Sequence, residues 1–120
     1  MSIVIIDYGA GNVRSVQFAL ERLGVAAVLT SDTSSIAQAD KVIFPGVGEA
    51  ATAMKALHSA GLDTVIPQLK QPVLGICLGM QLLCDYSEEG GTQGLGIFPV
   101  GVKRFAAKAK VPHMGWNNIS

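Results

Sequence analysis

The sequence predicts an α/β fold of three layers, in which a mostly parallel sheet carries helices on both of its faces. Short apolar segments suited to buried strands alternate with helical segments along most of the chain. The segment "IVII" at residues 3–6 is a continuous β-branched run, as expected of a strand buried on both faces of a parallel sheet. The 120 residues suffice for one domain, and no repeat or linker divides them. We therefore predict one domain over residues 1–120.

The first predicted helix follows the turn "DYGAG" at residues 7–11. Apolar residues recur beyond this turn at helical spacing, at Val13, Val16, Leu20 and Leu23. Asn12 is placed to cap the start of this helix, and Gly24 is placed to end it. Residues 25–30 form the second predicted strand, and "SDTSS" at residues 31–35 is predicted to be a polar turn.

The remaining strands and helices follow in the same alternation. Strands are predicted at residues 41–44 and 72–76, and helices at residues 49–59, at 62–69 and from just after Cys77. Cys84 falls on the last of these helices among leucines, which predicts a place in the core.

Beyond about residue 87 the pattern becomes looser. "SEEGGTQGLG" at residues 87–96 is predicted to be a loop, and "IFPVGVKRF" at residues 97–105 an extended strand. No helical segment follows in "PHMGWNNIS" at residues 112–120 to close the fold. We therefore expect a fold that is incomplete at its C-terminal end.

Charge and composition exclude several classes of partner. Nine basic and nine acidic residues give a formal net charge of zero, so nothing favours nucleic acid or an anionic membrane. The N-terminal segment lacks the features of a signal peptide, and the longest apolar stretch, around residues 73–84, is too short to span a bilayer. We expect a cytoplasmic protein.

The two cysteines have no histidine at metal-ligand spacing, so we expect no metal site.

The sequence G-x-C-x-G at residues 75–79 has the pattern of a nucleophile elbow between a buried strand and a helix. In such a turn, glycines at 75 and 79 prevent clashes, and the Cys77 thiol stands at the helix N-terminus, where the dipole favours a thiolate. The amide of Leu78 points to where an oxyanion forms, and Gln81 lies one turn further on the same helix face. The alternative is a core cysteine, since free cysteine is often buried; the flanking strand and helix favour the nucleophile.

"PGVG" at residues 45–48 follows a predicted strand, as the second oxyanion donor does in elbow enzymes. The alternative is a glycine-rich turn that starts a helix. "GAGNVR" at residues 9–14 partly matches a dinucleotide-binding loop, but Arg14 replaces the third glycine, so nucleotide binding is disfavoured.

These motifs together resemble one known family. "PGVG", "GICLGMQLL", "SEEG" and "PHMGWN" occur in the order and spacing of the class I (triad-type) glutamine amidotransferases, whose fold is flavodoxin-like. "DYGAGNVRSV" and "HMGWN" are similar to the glutaminase subunits of imidazole glycerol phosphate synthases, which serve histidine biosynthesis. The resemblance runs the length of the chain.

The resemblance implies that Cys77 attacks the side-chain amide of glutamine, giving a thioester and ammonia, after which water releases glutamate. Val47 and Leu78 would donate their amides to the oxyanion, with Gly48 completing the oxyanion hole and Gly46 lying at the substrate.

The resemblance also implies a substrate clamp and a partner. Gln81 and Glu89 would bind glutamine, the Glu89 carboxylate facing its α-ammonium group. Ammonia would pass into a (β/α)8-barrel cyclase subunit, and no cofactor is implied. Three residues lie in segments that face this partner in the family: Asn12, Trp116 and Asn117. For Trp116, the chain's only tryptophan, a partly buried core position is the alternative.

One part of the family pattern is missing. The family's triad uses a histidine and a glutamate in an H-x-E arrangement, and neither His58 nor His113 has a glutamate two residues later. Without this base we expect the 120-residue chain alone to be inactive or nearly so. A non-catalytic, glutaminase-like binding module of a barrel partner is the alternative function, and a general cysteine hydrolase is a third.

Overall fold

Four parallel strands form the main sheet of the computed structural model, which describes residues 1–9, 12–88, 91–104 and 116. The strands are β1 (Ile3–Ile6), β2 (Val28–Thr30), β3 (Lys41–Phe44) and β4 (Val73–Gly75). Their order across the sheet is β2-β1-β3-β4, and every neighbouring pair is parallel. The predicted parallel sheet is therefore confirmed.

All but the last of the helices connect these strands, as expected of parallel pairing. They are α1 (Val13–Arg22), α2 (Thr33–Gln38), α3 (Ala50–Ser59), α4 (Leu62–Val65), which continues into a 3-10 turn (Ile66–Gln68), and α5 (Leu78–Leu82). Within the described part of the chain, no helix is long and apolar enough to cross a membrane.

The main core lies on one face of the sheet. Alternate strand residues point to it, and α2, α3, α4 and α5 each contribute buried residues; its largest members include Ile6, Phe44, Ile36, Leu57, Leu62 and Leu82. Ile5 and Ile43 come next in the strand alternation and are buried on the opposite face. Because α1 contributes nothing to the main core, it belongs to that opposite face, and the prediction of helices on both faces is confirmed.

The N-terminal elements are shorter than predicted. Residues 25–27 are not part of a strand, and β2 begins only at Val28. Asn12 occupies the N-cap position of α1, but its side chain makes no capping hydrogen bond, so only its position was predicted correctly. Gly24 has a φ of +77° directly after the helix, as expected of a stop signal.

The predicted polar turn at residues 31–35 is wrong, because α2 begins inside it. The Asp32 carboxylate accepts hydrogen bonds from the Ser35 hydroxyl at 2.7 Å and the Ser35 amide at 2.9 Å. These bonds lower the pKa of Asp32, the hydroxyl bond contributing most. Asp32 is therefore an N-cap, and Ile36, one turn later, is the buried residue that holds this short helix to the core.

Gln71 closes the other end of α2. Its amide nitrogen donates to the carbonyl oxygens of Ile36 and Ala39, both at 3.0 Å, and lies 3.3 Å from that of Ala37. A side chain just before β4 thus supplies a donor to the Ala39 carbonyl and a second donor to the Ile36 carbonyl, which also accepts the Ala39 N–H.

A second, small sheet follows α5 where the sequence predicted a helix and a loop. It consists of β5 (Cys84–Ser87), β6 (Thr92–Gln93) and β7 (Phe98–Val102), with β5 antiparallel to β6 and parallel to β7. The prediction of a strand within residues 97–105 is confirmed for Phe98–Val102. The loop predicted at residues 87–96 instead contributes to β5 and β6.

The prediction that Cys84 lies on a helix in the core is wrong, since it begins β5 and is half-buried. The α5 helix ends early because the returning chain takes its last carbonyls: Leu95 N–H donates to Leu82 O at 2.8 Å, and Ile97 N–H to Leu83 O at 3.0 Å.

We expect Gln71→Ala to lower the free energy of unfolding by about 1–2 kcal/mol, because it removes the donor to the Ala39 carbonyl and one of the two donors to the Ile36 carbonyl. Gln68→Ala is the matched control, since Gln68 is exposed in the same segment. Urea unfolding of the full-length variants measures both changes, and equal effects of the two substitutions would contradict the role given to Gln71.

Candidate active site

The turn from β4 into α5 gives Cys77 a backbone conformation that residues other than glycine rarely adopt. Cys77 has a φ of 54° and a ψ of −121°, and among the described residues it is the only non-glycine residue with a positive φ. Such a conformation costs about 1–3 kcal/mol and is found where the surrounding structure imposes it, often at active sites. The strained strand-to-helix turn expected of a nucleophile elbow is therefore present.

The two glycines of the motif are needed because backbone approaches backbone here. A Cβ atom on Gly75 would lie 2.8 Å from the Cα atom of Met80. A Cβ atom on Gly79 would overlap the carbonyl group of Phe44, the last residue of β3. Any larger residue would push α5 away from the sheet.

The side chain of Cys77 is not packed in the core. Cys77 is exposed, whereas the next residue, Leu78, is buried in the core. The alternative of a buried core cysteine is therefore wrong for this position, and the side chain is open to a ligand.

The segment "PGVG" lies beside this turn. Gly46 is buried at the end of β3, and its carbonyl oxygen accepts a hydrogen bond from the Leu78 amide at 3.3 Å. Val47 and Gly48 are exposed, and Gly48 has a φ of +99°. The structure thus brings Gly46 and Leu78 together next to Cys77. In this arrangement the Leu78 amide is engaged by a protein carbonyl, through a bond at the long end of the usual range.

Gln81 lies one helical turn beyond Cys77. Its backbone amide donates to the Cys77 carbonyl oxygen at 3.2 Å, and the residue is half-buried. This is the i, i+4 relationship that the sequence predicted for the two residues.

The other candidate residues are less defined. Glu89 and Asn117 lie outside the described residues, and so does His113. Asn12 is exposed at the start of α1, and Trp116 is fully exposed, so the core alternative for this tryptophan is wrong.

His58 is already paired with another side chain. It is solvent-facing on α3, with 81% of its side chain exposed. Its Nδ1 atom lies 2.7 Å from a carboxylate oxygen of Asp63. Among residues 1–9, 12–88, 91–104 and 116, no group of three or more histidine, cysteine or acidic residues could hold a metal ion.

Sequence reasoning missed Tyr8 as part of this region. Its buried hydroxyl donates a hydrogen bond to the carbonyl oxygen of Pro45, the first residue of "PGVG". The only sequence signal was its place in "DYGAG", directly after the first strand.

Curated relatives match the chain over nearly its whole length. A protein of Bacteroides fragilis (strain YCH46) named imidazole glycerol phosphate synthase subunit HisH is 61% identical over 123 residues, which is 100% of this chain and 63% of the relative. Proteins of the same name from Bacteroides thetaiotaomicron and Oceanobacillus iheyensis are 58% and 49% identical, covering 99% and 98% of this chain. The chain spans 60–63% of the length of these three relatives.

A solved structure and a family model agree with these relatives. The structure, described as "Crystal structure of glutamine amidotransferase", superposes with a TM-score of 0.73 at 25% identity, over 90% of this chain and 59% of its own. The family model described as glutamine amidotransferase class-I matches residues 4–119. With the relatives and the elbow at Cys77, these matches show that the chain belongs to the class-I glutamine amidotransferase family.

Proposed function

We propose that this chain forms the nucleophile-bearing part of the glutaminase subunit of imidazole glycerol phosphate synthase. The subunit would hydrolyse glutamine to glutamate and ammonia in the cytoplasm and deliver the ammonia for histidine biosynthesis. The observation that carries the proposal is the exposed Cys77 at a strained strand-to-helix turn. The amide of the next residue, Leu78, donates a hydrogen bond to the Gly46 carbonyl of "PGVG". The names of the relatives supply the pathway.

The reaction needs a nucleophile that can attack an amide carbonyl. The Cys77 thiolate would form a C–S bond to the side-chain carbonyl carbon of glutamine, giving a tetrahedral oxyanion. Collapse of this intermediate, with a proton delivered to the nitrogen, would release ammonia and leave a thioester. Water would then attack the thioester, and the products would be glutamate and the free thiol.

The oxyanion would be stabilised by backbone amides beside Cys77. Leu78 and Val47 are the proposed donors, with Gly48 completing the hole. Since the Leu78 amide now donates to the Gly46 carbonyl at 3.3 Å, binding the oxyanion would require this carbonyl to turn away.

Substrate recognition would use residues on both sides of the thiol. Gly46 lies against the elbow backbone, and Gln81 lies one turn along α5 from Cys77. We propose that both contact the bound glutamine. The negatively charged carboxylate of Glu89 would pair with the positively charged α-ammonium group of the substrate, because hydrogen bonds between opposite charges are strong.

Ammonia would not be the final product of the complex. We propose that a (β/α)8-barrel cyclase subunit receives it, and that the surface toward this subunit includes Asn12, Trp116 and Asn117. The full exposure of Trp116 supports this surface, because a large aromatic side chain left in water gains most by docking.

We expect Cys77→Ala to abolish glutamine hydrolysis in the full-length protein with its partner, a loss of at least about 10³-fold, because no other group forms the thioester. Ammonia and glutamate release are the measurements. Cys84→Ala is the matched control and should keep activity near wild type, since the second cysteine lies on β5 outside the proposed site. Hydrolysis that persists in Cys77→Ala would rule out this nucleophile.

We expect residues 1–120 alone to release ammonia at least about 10²-fold more slowly than the full-length protein, because they contain no H-x-E segment to supply a base. Supplying the remaining residues of the full-length protein as a separate segment should restore hydrolysis. Rapid turnover by residues 1–120 would show that the base lies within them. A full-length protein that binds the cyclase without hydrolysing glutamine would favour the alternative, a non-catalytic binding module.

We expect Trp116→Ala to weaken binding of the cyclase subunit by about 2 kcal/mol or more, roughly 30-fold, as for buried tryptophan anchors. Trp116→Phe should lose less, and Leu23→Ala, at another exposed apolar residue, should change little. Titration calorimetry with the purified subunits measures the three affinities. An unchanged affinity in Trp116→Ala would remove this residue from the interface.

A further inference from the structure

Tyr8 joins the ends of two neighbouring strands at the candidate site. It lies two residues beyond β1 and is buried in the main core. Its ring packs against that of Phe44, with centroids 5.6 Å apart and planes inclined at 49°. Aromatic rings in such a tilted arrangement attract each other beyond the effect of burial. Because Phe44 is the last residue of β3, the contact holds the Tyr8 ring beside the start of "PGVG".

The hydroxyl group of Tyr8 fixes the first carbonyl of that segment. It donates a buried hydrogen bond to the Pro45 carbonyl oxygen at 2.9 Å. Burial raises the pKa of Tyr8 to about 12, so the group stays protonated and remains a donor at neutral pH. A buried carbonyl without a donor is unfavourable, and the peptide unit that contains it is planar. The bond therefore sets the orientation of the peptide between Pro45 and Gly46.

Gly46 connects this hydroxyl to the elbow. A Cβ atom at this position would lie 2.8 Å from the Tyr8 oxygen and 2.7 Å from the amide nitrogen of Gly79, so the backbone is enclosed on both sides. The Gly46 carbonyl in turn accepts the Leu78 amide, directly after Cys77. Direct contacts thus run from the Tyr8 hydroxyl to the residue after the nucleophile.

We propose that Tyr8 is a positioning residue for glutamine hydrolysis, and that its hydroxyl orients the "PGVG" segment beside Cys77. The inference rests on the proposed function and adds a residue to the site. Without the hydroxyl, the Pro45 carbonyl must find another donor, and the peptides that follow it can turn. Because the segment would stabilise the oxyanion more than the ground-state amide, the loss falls on kcat more than on KM.

The test uses the full-length protein with its partner subunit and measures ammonia release at several glutamine concentrations. We expect Tyr8→Phe, which keeps the ring and removes only the hydroxyl, to lower kcat about tenfold or more, with KM changed less than about twofold. Tyr86→Phe is the matched control at the chain's only other tyrosine, on the exposed part of β5, and should keep the wild-type kcat.

Two further measurements separate positioning from a general loss of structure. Iodoacetamide alkylates a thiolate by displacing iodide from a saturated carbon, so the reaction forms no oxyanion. Its rate at Cys77 should therefore stay within about twofold of wild type in Tyr8→Phe. Replacing Tyr8 by p-aminophenylalanine returns a donor to the Pro45 carbonyl and should recover most of the lost kcat. Rates are normalised to the fraction of folded protein, taken from the urea unfolding curve of each variant, so that unfolded protein does not enter them.

An unchanged kcat in Tyr8→Phe, measured beside an active wild type, would overturn the inference alone. The inference would also be overturned if p-aminophenylalanine at position 8 did not restore kcat. It would be overturned as well if kcat and the iodoacetamide rate fell together in Tyr8→Phe. In either case Tyr8 would have only a structural role. A wild-type protein that hydrolyses no glutamine would overturn the proposed function, and this inference with it.

Discussion

The contact between Gly79 and the carbonyl group of Phe44 constrains the rest of the site. No side chain fits between α5 and the end of β3 at this point, so the two backbones lie against each other. A helix can approach the sheet so closely only if the chain turns sharply out of β4, and this turn gives Cys77 its φ of 54°. The strain, about 1–3 kcal/mol, is offset by the burial of apolar residues of α5 such as Leu82.

The same contact aligns the other parts of the site. β3 pairs with β4 up to Gly75, and the pairing continues as Ile76 N–H donates to Phe44 O at 3.0 Å and Leu78 N–H to Gly46 O. Tyr8, just after β1, links that strand to the end of β3, because its ring packs against Phe44 and its hydroxyl donates to the Pro45 carbonyl. Three adjacent parallel strands thus each supply one part at their carboxyl ends, where ligands of α/β sheets bind. The proposed nucleophile and its oxyanion donors are therefore positioned by the sheet itself.

The sequence predicted those features that rest on local patterns. The β-branched strands, the α1 stop at Gly24 and the elbow at Cys77 each have a short signal, and the structure contains all of them. The sequence could not predict where α5 ends, because the last carbonyls of the helix accept hydrogen bonds from Leu95 and Ile97, more than ten residues away. Nor could it predict the bond between Tyr8 and Pro45, since a hydroxyl's partner 37 residues away depends on how the strands pair. The cap at Asp32 did have a signal in its spacing to Ser35, which the interpretation as a turn overlooked.

Trapping the covalent intermediate tests directly whether Cys77 at this turn is the nucleophile. The full-length protein with its partner would be mixed with glutamine, quenched in acid within one turnover and digested for mass spectrometry. We expect a γ-glutamyl adduct on Cys77 that disappears at the rate at which glutamate forms. Glutamate formation without an adduct, or an adduct on Cys84 or another residue, would contradict it.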